Sequence, residues 1–131
     1  ELSRRFKKIL KGQKKLARLD DLKRHKLRIK IKKLRYALDF FASLFGRPKA
    51  RRKFEEALKN LQTVLGELND IRVHGGLAHE FAHPRGRGRS QPQKAFAMGL
   101  FRGAEKGKKE RLIGEAVKHG KKLARLSPPW M

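Results

Sequence analysis

One stretch governs what this chain can fold into: His25–Phe45, HKLRIKIKKLRYALDFFASLF, which meets neither Gly nor Pro until Gly46 and Pro48. A periodic run of this length reads as one helix over about Leu22–Phe45, with Asp20 and Asp21 ahead of it as candidate N-caps. At about 100° per residue, Leu27, Ile31, Leu34, Leu38, Phe41 and Phe45 fall on one apolar stripe, and Ile29, Tyr36 and Phe40 on a second, smaller one. Two basic rows separate the stripes. Lys26, Lys30 and Lys33 read as the solvated face of an amphipathic helix. His25, Arg28, Lys32 and Arg35 have apolar neighbours on both flanks, which sets this row along a groove rather than in bulk water. Cations crowded in a groove repel one another and lose hydration. A polyanion that neutralises them accounts for the row. The competing reading is that these side chains snorkel, or pair with acids on another helix.

The rest of the chain sharpens that choice. It carries 36 Lys and Arg against 12 Asp and Glu, a formal charge of +24 over 131 residues. Self-repulsion on that scale opposes compaction. The composition therefore points to a polyanionic partner: nucleic acid, polyphosphate or an anionic membrane surface. The length suits one domain over 1–131. With no cysteine, a disulfide scaffold and a cysteine zinc site are excluded. No apolar run approaches the ~20 residues of a membrane span, and no signal-peptide pattern opens the chain. The expected location is cytoplasmic. The chain opens on Glu1 rather than Met, as a fragment or a processed form does.

The flanking segments are helical too. Residues 4–18 place Phe6, Ile9, Leu10 and Leu16 on an apolar side, with Gly12 weakening the middle. From about Lys49 a long helix presents Phe54, Leu58, Leu61, Leu65 and Leu68 to a core. Gln62, Gly66, Asn69 and Val73 form its narrow second face, where Gly66 suggests close approach of another helix. Asp70 is a candidate to orient a basic side chain of the helix over Leu22–Phe45, the alternative being an exposed acid. His74-Gly75-Gly76 should loosen or kink this helix. Residues 84–92, PRGRGRSQP, read as a flexible basic loop. Residues 93–106 form a shorter helix in which Gly99, Gly103 and Gly107 make a smooth packing face. Lys109–Leu126 is the last helix, with Leu112, Ile113, Ala116, Val117 and Leu123 inward and Arg111, Lys118, Lys122 and Arg125 as another basic row. Trp130 packs back on the bundle. The expected fold is all-α, an antiparallel bundle of four to five helices, since no segment has a strand period that outlasts the helical one.

Catalytic signals are sparse. His79-Glu80-Phe81-Ala82-His83 matches H-E-x-x-H, which on a helix offers two imidazoles to zinc and Glu80 as general base. Pro84 follows at once, arginines crowd the site, and no close third ligand follows; His74 serves only if the glycine pair bends the chain back. These histidines read as surface residues. No Walker loop and no Ser or Cys in a nucleophile context is present. Tyr36 reads as a half-buried structural tyrosine. No cofactor, metal or catalytic residue is expected.

The motif His25-Lys26-Leu27-Arg28-Ile29-x-Ile31-Lys32-Lys33-Leu34-Arg35-Tyr36 resembles the signature helix of the conserved histidine α-helical domain, the CHAD family. Leu61-Gln62-x-x-Leu65-Gly66-x-Leu68-Asn69-Asp70 is similar to the block that follows in that family, and Pro128-Pro129-Trp130 to its closing motif. The resemblance implies an all-helical fold that binds inorganic polyphosphate through basic residues lining a cavity. It also implies His25, Arg28, Lys32 and Arg35 at ligand-lining positions, with Lys26 and Lys33 at other basic positions of the motif. The family domain usually has two halves, each with its histidine helix, and this chain resembles only the second. A homodimer, or association with a missing N-terminal half, follows as an expectation. The reading is a noncatalytic polyphosphate-binding module using a groove on helix 22–45. A linear polymer without bases suits Lys and Arg rows and needs no stacking surface, in keeping with one Trp, one Tyr and eight Phe mostly on apolar stripes. The alternative is a nonspecific nucleic-acid-binding helical protein, held by the same cations and the Arg-Gly loop.

Overall fold

The computed structural model describes residues 1–44, 46, 48–82 and 92–131, and their side chains apart from those of 74–82, 92–99, 101, 102 and 105. The elements are α1 (Leu2–Lys14), α2 (Asp21–Phe40), α3 (Pro48–Ala82) and α4 (Pro92–Ala124), with 3-10 turns at Leu16–Arg18 and Ala42–Leu44. The fold is all-α, and the described residues include no strand.

The apolar stripe of α2 builds the core. Leu27, Ile31, Leu34 and Leu38 are buried against Phe54, Leu58, Leu61, Leu65 and Leu68 of α3 and against Leu112, Ala116 and Leu123 of α4. Burying one such side chain is worth about 1.5–3 kcal/mol. Residues in contact fix the helix directions. The Gly12 position abuts Leu27, and residues 4, 5 and 8 lie beside 30 and 33, so α1 and α2 run antiparallel. Arg35 reaches Gln62 while Arg28 lies on Gly66, so α2 and α3 do the same. Gly120 meets Gln13 while Trp130 reaches Ser3, which makes α1 and α4 antiparallel as well.

Two ends are pinned by side chains. Asp20 caps α2 by accepting from the Lys23 amide at 2.8 Å. Trp130 stands edge-on to both Phe6 and Phe54, at 5.8 and 5.4 Å between ring centroids, and its indole N–H donates to Ser3 at 2.8 Å.

The sequence period misleads in four places. First, α2 stops at Phe40 rather than Phe45. Arg51 donates to the Ala42 carbonyl at 2.7 Å and so holds the turn that follows. Phe41, placed by helical period among the buried residues, is turned outward to 37% exposure; Phe45 lies outside the described residues. Second, α3 runs through His74-Gly75-Gly76 to Ala82 without a break. A glycine costs about 1 kcal/mol in a helix interior but does not by itself end one. Third, the segments 93–106 and 109–126 are one helix, α4. Fourth, among the described residues nothing lies within 4 Å of where a Cβ would stand at Gly103 or Gly107, and the side-chain surroundings of Gly99 lie outside them. The close approach on α4 is instead at Gly120, where a Cβ would lie 2.8 Å from the Gln13 amide oxygen. Residues 84–91 of the expected basic loop lie outside the described residues, as do His83 and the side chains of His74, His79 and Glu80.

Candidate functional site

The antiparallel register lays the row His25, Arg28, Arg35 of α2 along the seam with α3. On α3 the facing residues are Gln62, Gly66 and Asn69, spaced by four and three, which keeps them on one side of the helix. Each does something different. The Arg35 guanidinium donates to the Gln62 amide oxygen at 2.6 Å. Arg28 lies where Gly66 leaves room, with its Nε 3.5 Å from the position of an added Cβ. Asn69 accepts from Arg72 at 3.2 Å, beside His25. The close approach expected at Gly66 is therefore made by an arginine side chain rather than by a second backbone.

Polar atoms in this seam lack protein partners. His25 Nδ1 and Arg28 Nε are buried and make no hydrogen bond within the protein. Among the described residues no carboxylate lies within ion-pair distance of His25, Arg28, Lys32 or Arg35. Pairing with acids on another helix does not account for the row. Asp70 is exposed and in no ion pair among the described residues. It stands one residue, about 100°, past Asn69 and so beyond the seam. The orienting group for Arg35 is the neutral Gln62.

The row is an open shelf rather than a groove with two walls. The second apolar stripe is uncovered: Ile29, Tyr36 and Phe40 are 36, 60 and 79% exposed. Tyr36 is thus not half-buried. Lys32 sits at the outer edge of the row with its Nζ 5.7 Å from the Tyr36 ring centroid, a cation–π contact. The end of the shelf closes at His25, where a hollow of about 10 Å³ has room for about one water molecule.

Lys26 and Lys33 are not on this shelf. Both are exposed, and Lys33, with Lys30, faces α1. The six basic residues of the sequence motif are thus divided between two sides of α2.

Two arginines, one buried and one half-buried, were not legible as structural. Arg24 is 6% exposed; its guanidinium donates to the Leu19 carbonyl and to the Asp21 carboxylate. The same carboxylate holds Lys109 Nζ at 3.2 Å, tying the start of α2 to α4. Burial pushes the Asp21 carboxyl up, but hydrogen bonds from Lys109 and Arg24 outweigh it and hold the group below the usual carboxylate range. Arg51 bonds the Ala42 carbonyl and lies 3.7 Å from Glu55. An acid three residues before an arginine on a helix, as at Asp21 and Arg24, is the one signal that marks such a clamp in advance.

The sequence model of the CHAD domain matches residues 1–79, which takes in α1, α2 and α3 to within three residues of its end. No curated protein and no solved structure matches the chain. The matched span holds both the histidine helix and the Gln62–Asn69 face opposite it.

Proposed function

The chain belongs to the CHAD domain family, and on that premise we propose that it is a noncatalytic module that binds inorganic polyphosphate along the α2–α3 seam. The observation that carries this reading is the seam itself: His25, Arg28 and Arg35 side by side, with buried polar atoms unpartnered and none of the three in an ion pair among the described residues. Phosphate oxygens supply the counter-charge that the row lacks among the described residues, and accept from its guanidinium and ammonium groups. Arg28 and Arg35 bind, Lys32 neutralises from the rim, and His25 donates at the closed end. Gln62 positions Arg35.

With Ile29, Tyr36 and Phe40 uncovered, the shelf has one wall. A second copy of the chain, or an N-terminal half of the domain, completes it in this reading. Repulsion at +24 opposes a dimer without polymer, so light scattering should report dimers only as polyphosphate is added. A monomer throughout the titration rejects the second copy and leaves the seam as a weaker, one-sided site.

The nucleic-acid reading uses the same charge without a site. Titration with polyphosphate and with single-stranded DNA of equal charge, over a salt series, separates the two. Tighter binding of polyphosphate at every salt concentration is expected. Equal affinities with equal salt slopes would return the protein to a general basic surface.

A further inference from the structure

The seam does not use the α1-facing side of α2. There Lys30 and Lys33 stand opposite Arg4, Arg5 and Lys8, and with Glu1 these residues line an open hollow of about 240 Å³. The antiparallel register of α1 and α2 creates it, by laying the first two turns of α1 beside the third and fourth turns of α2. Five cations and one carboxylate line it, and two of the cations, Arg4 and Arg5, bond that carboxylate. Glu1 accepts from Arg4 Nη2 at 2.8 and 3.0 Å and from Arg5 Nε at 3.0 Å. Lys8, Lys30 and Lys33 are in no ion pair among the described residues.

We propose that this hollow is a second phosphate-chain site, distinct from the seam, that takes inorganic oligophosphate. Arg4 and Arg5 already converge on a single oxyanion, the Glu1 carboxylate, in the geometry that a phosphate group would use. Hydrogen bonds from Arg4 and then Arg5 hold the Glu1 carboxyl below its ordinary range, so it is charged and competes with the ligand at neutral pH. Lys8, Lys30 and Lys33 neutralise the neighbouring phosphates. Lys30 is two residues from Arg28, and Lys33 two from Arg35, about 200° around the helix. The two sites therefore lie on opposite sides of α2 and do not share a phosphate. This inference rests on the polyphosphate reading and extends it to a second stoichiometric equivalent.

The test is calorimetric titration of the whole chain with inorganic tripolyphosphate at low salt. Two equivalents per chain are expected. The variant Lys8→Gln, Lys30→Gln, Lys33→Gln keeps the Glu1 ion pairs and should retain one equivalent. Arg28→Gln with Arg35→Gln should retain the other. Arg111→Gln, Lys118→Gln, Lys122→Gln, which removes three exposed charges from α4, should keep both. Glu1→Gln removes the competing carboxylate and should tighten the hollow's equivalent by about threefold. One equivalent in the native chain, lost with Arg28 and Arg35 but not with the three lysines, overturns the second site and leaves the seam standing. One equivalent lost with the lysines alone overturns the seam and leaves the hollow. No binding of tripolyphosphate or of longer polymer overturns both.

Discussion

The two sides of α2 carry similar numbers of cations and treat them differently. Toward α3, His25, Arg28 and Arg35 are half-buried and held in place, by Gln62 in one case and by the space over Gly66 in another. Toward α1, Lys30 and Lys33 are exposed around an open hollow. The difference lies in the neighbour. Toward the seam, helix α3 offers an amide, a glycine and, among the described residues, no carboxylate in ion pair with the row; α1 offers more cations and one carboxylate. Charge rows on one helix thus become either a shaped site or a field, according to what the facing helix contributes.

Removing equal charge from a shaped site and from a plain surface tests that distinction directly. Replacing Arg28, Lys32 and Arg35 by Gln, and separately Arg111, Lys118 and Lys122 by Gln, removes three charges in each case. Long-range attraction to polyphosphate falls similarly in both. The seam variant should lose at least about tenfold more affinity, or ~1.4 kcal/mol, because its hydrogen bonds are charge-assisted and partly shielded from water. Equal losses would falsify a shaped site on α2.

Gly66 sets the position of Arg28 without carrying charge. A Cβ there meets Arg28 Nε at 3.5 Å, an ordinary contact. Gly66→Ala should therefore keep affinity and raise stability by up to ~1 kcal/mol from helix propensity. Gly66→Leu fills the space that Arg28 occupies and should lower polyphosphate affinity about fivefold. Denaturant melts beside the binding curves distinguish loss of the site from loss of the fold. Unchanged affinity in the Leu variant means that the position of Arg28 is irrelevant.

Much of this was legible because apolar period survives folding. Leu27, Ile31, Leu34 and Leu38 are buried where the helical wheel puts them, and so are Leu61, Leu65 and Leu68. Phe41 was misplaced because the wheel assumes that the helix continues, whereas the turn is decided by Arg51, ten residues on. The site was half legible. Spacing separates Arg28 and Arg35 from Lys30 and Lys33, but it does not say which helix faces each row. It gave no reason to prefer Gln62 over Asp70 as the partner of Arg35. Nor did it mark Arg24, whose burial depends on Asp21 and the Leu19 carbonyl.

Arg24 shows a third use of charge, neither site nor field. Its partner Asp21 also holds Lys109. Asp21→Asn should cost about 1 kcal/mol of stability at neutral pH, since a charge-assisted bond becomes a neutral one. The folded carboxyl titrates below its unfolded value of about 3.9. Its contribution is therefore fully present above that value and is lost as pH falls through the lower folded one. Native and variant melting temperatures should converge in strong acid. A difference that persists there assigns the loss to packing instead.

A neutral side chain separates position from charge most specifically. Gln62 is neutral, so changing it to Leu leaves every charge in place while removing the 2.6 Å bond that fixes Arg35. If Gln62 positions a binding group, Gln62→Leu should weaken polyphosphate binding about threefold, the scale of ~0.7 kcal/mol expected for one modest hydrogen bond. The salt slope should not change, because no counterion-releasing charge has gone. Arg35→Gln should lower both the affinity and the slope. Gln62→Glu supplies the carboxylate that the seam lacks, so it should weaken binding more than Leu does, while holding Arg35 at least as firmly. A field of charge predicts the opposite pattern for Leu: the affinity of that variant would equal the native value at every salt concentration. Parallel salt plots, displaced by about half a decade, are what a positioned arginine requires.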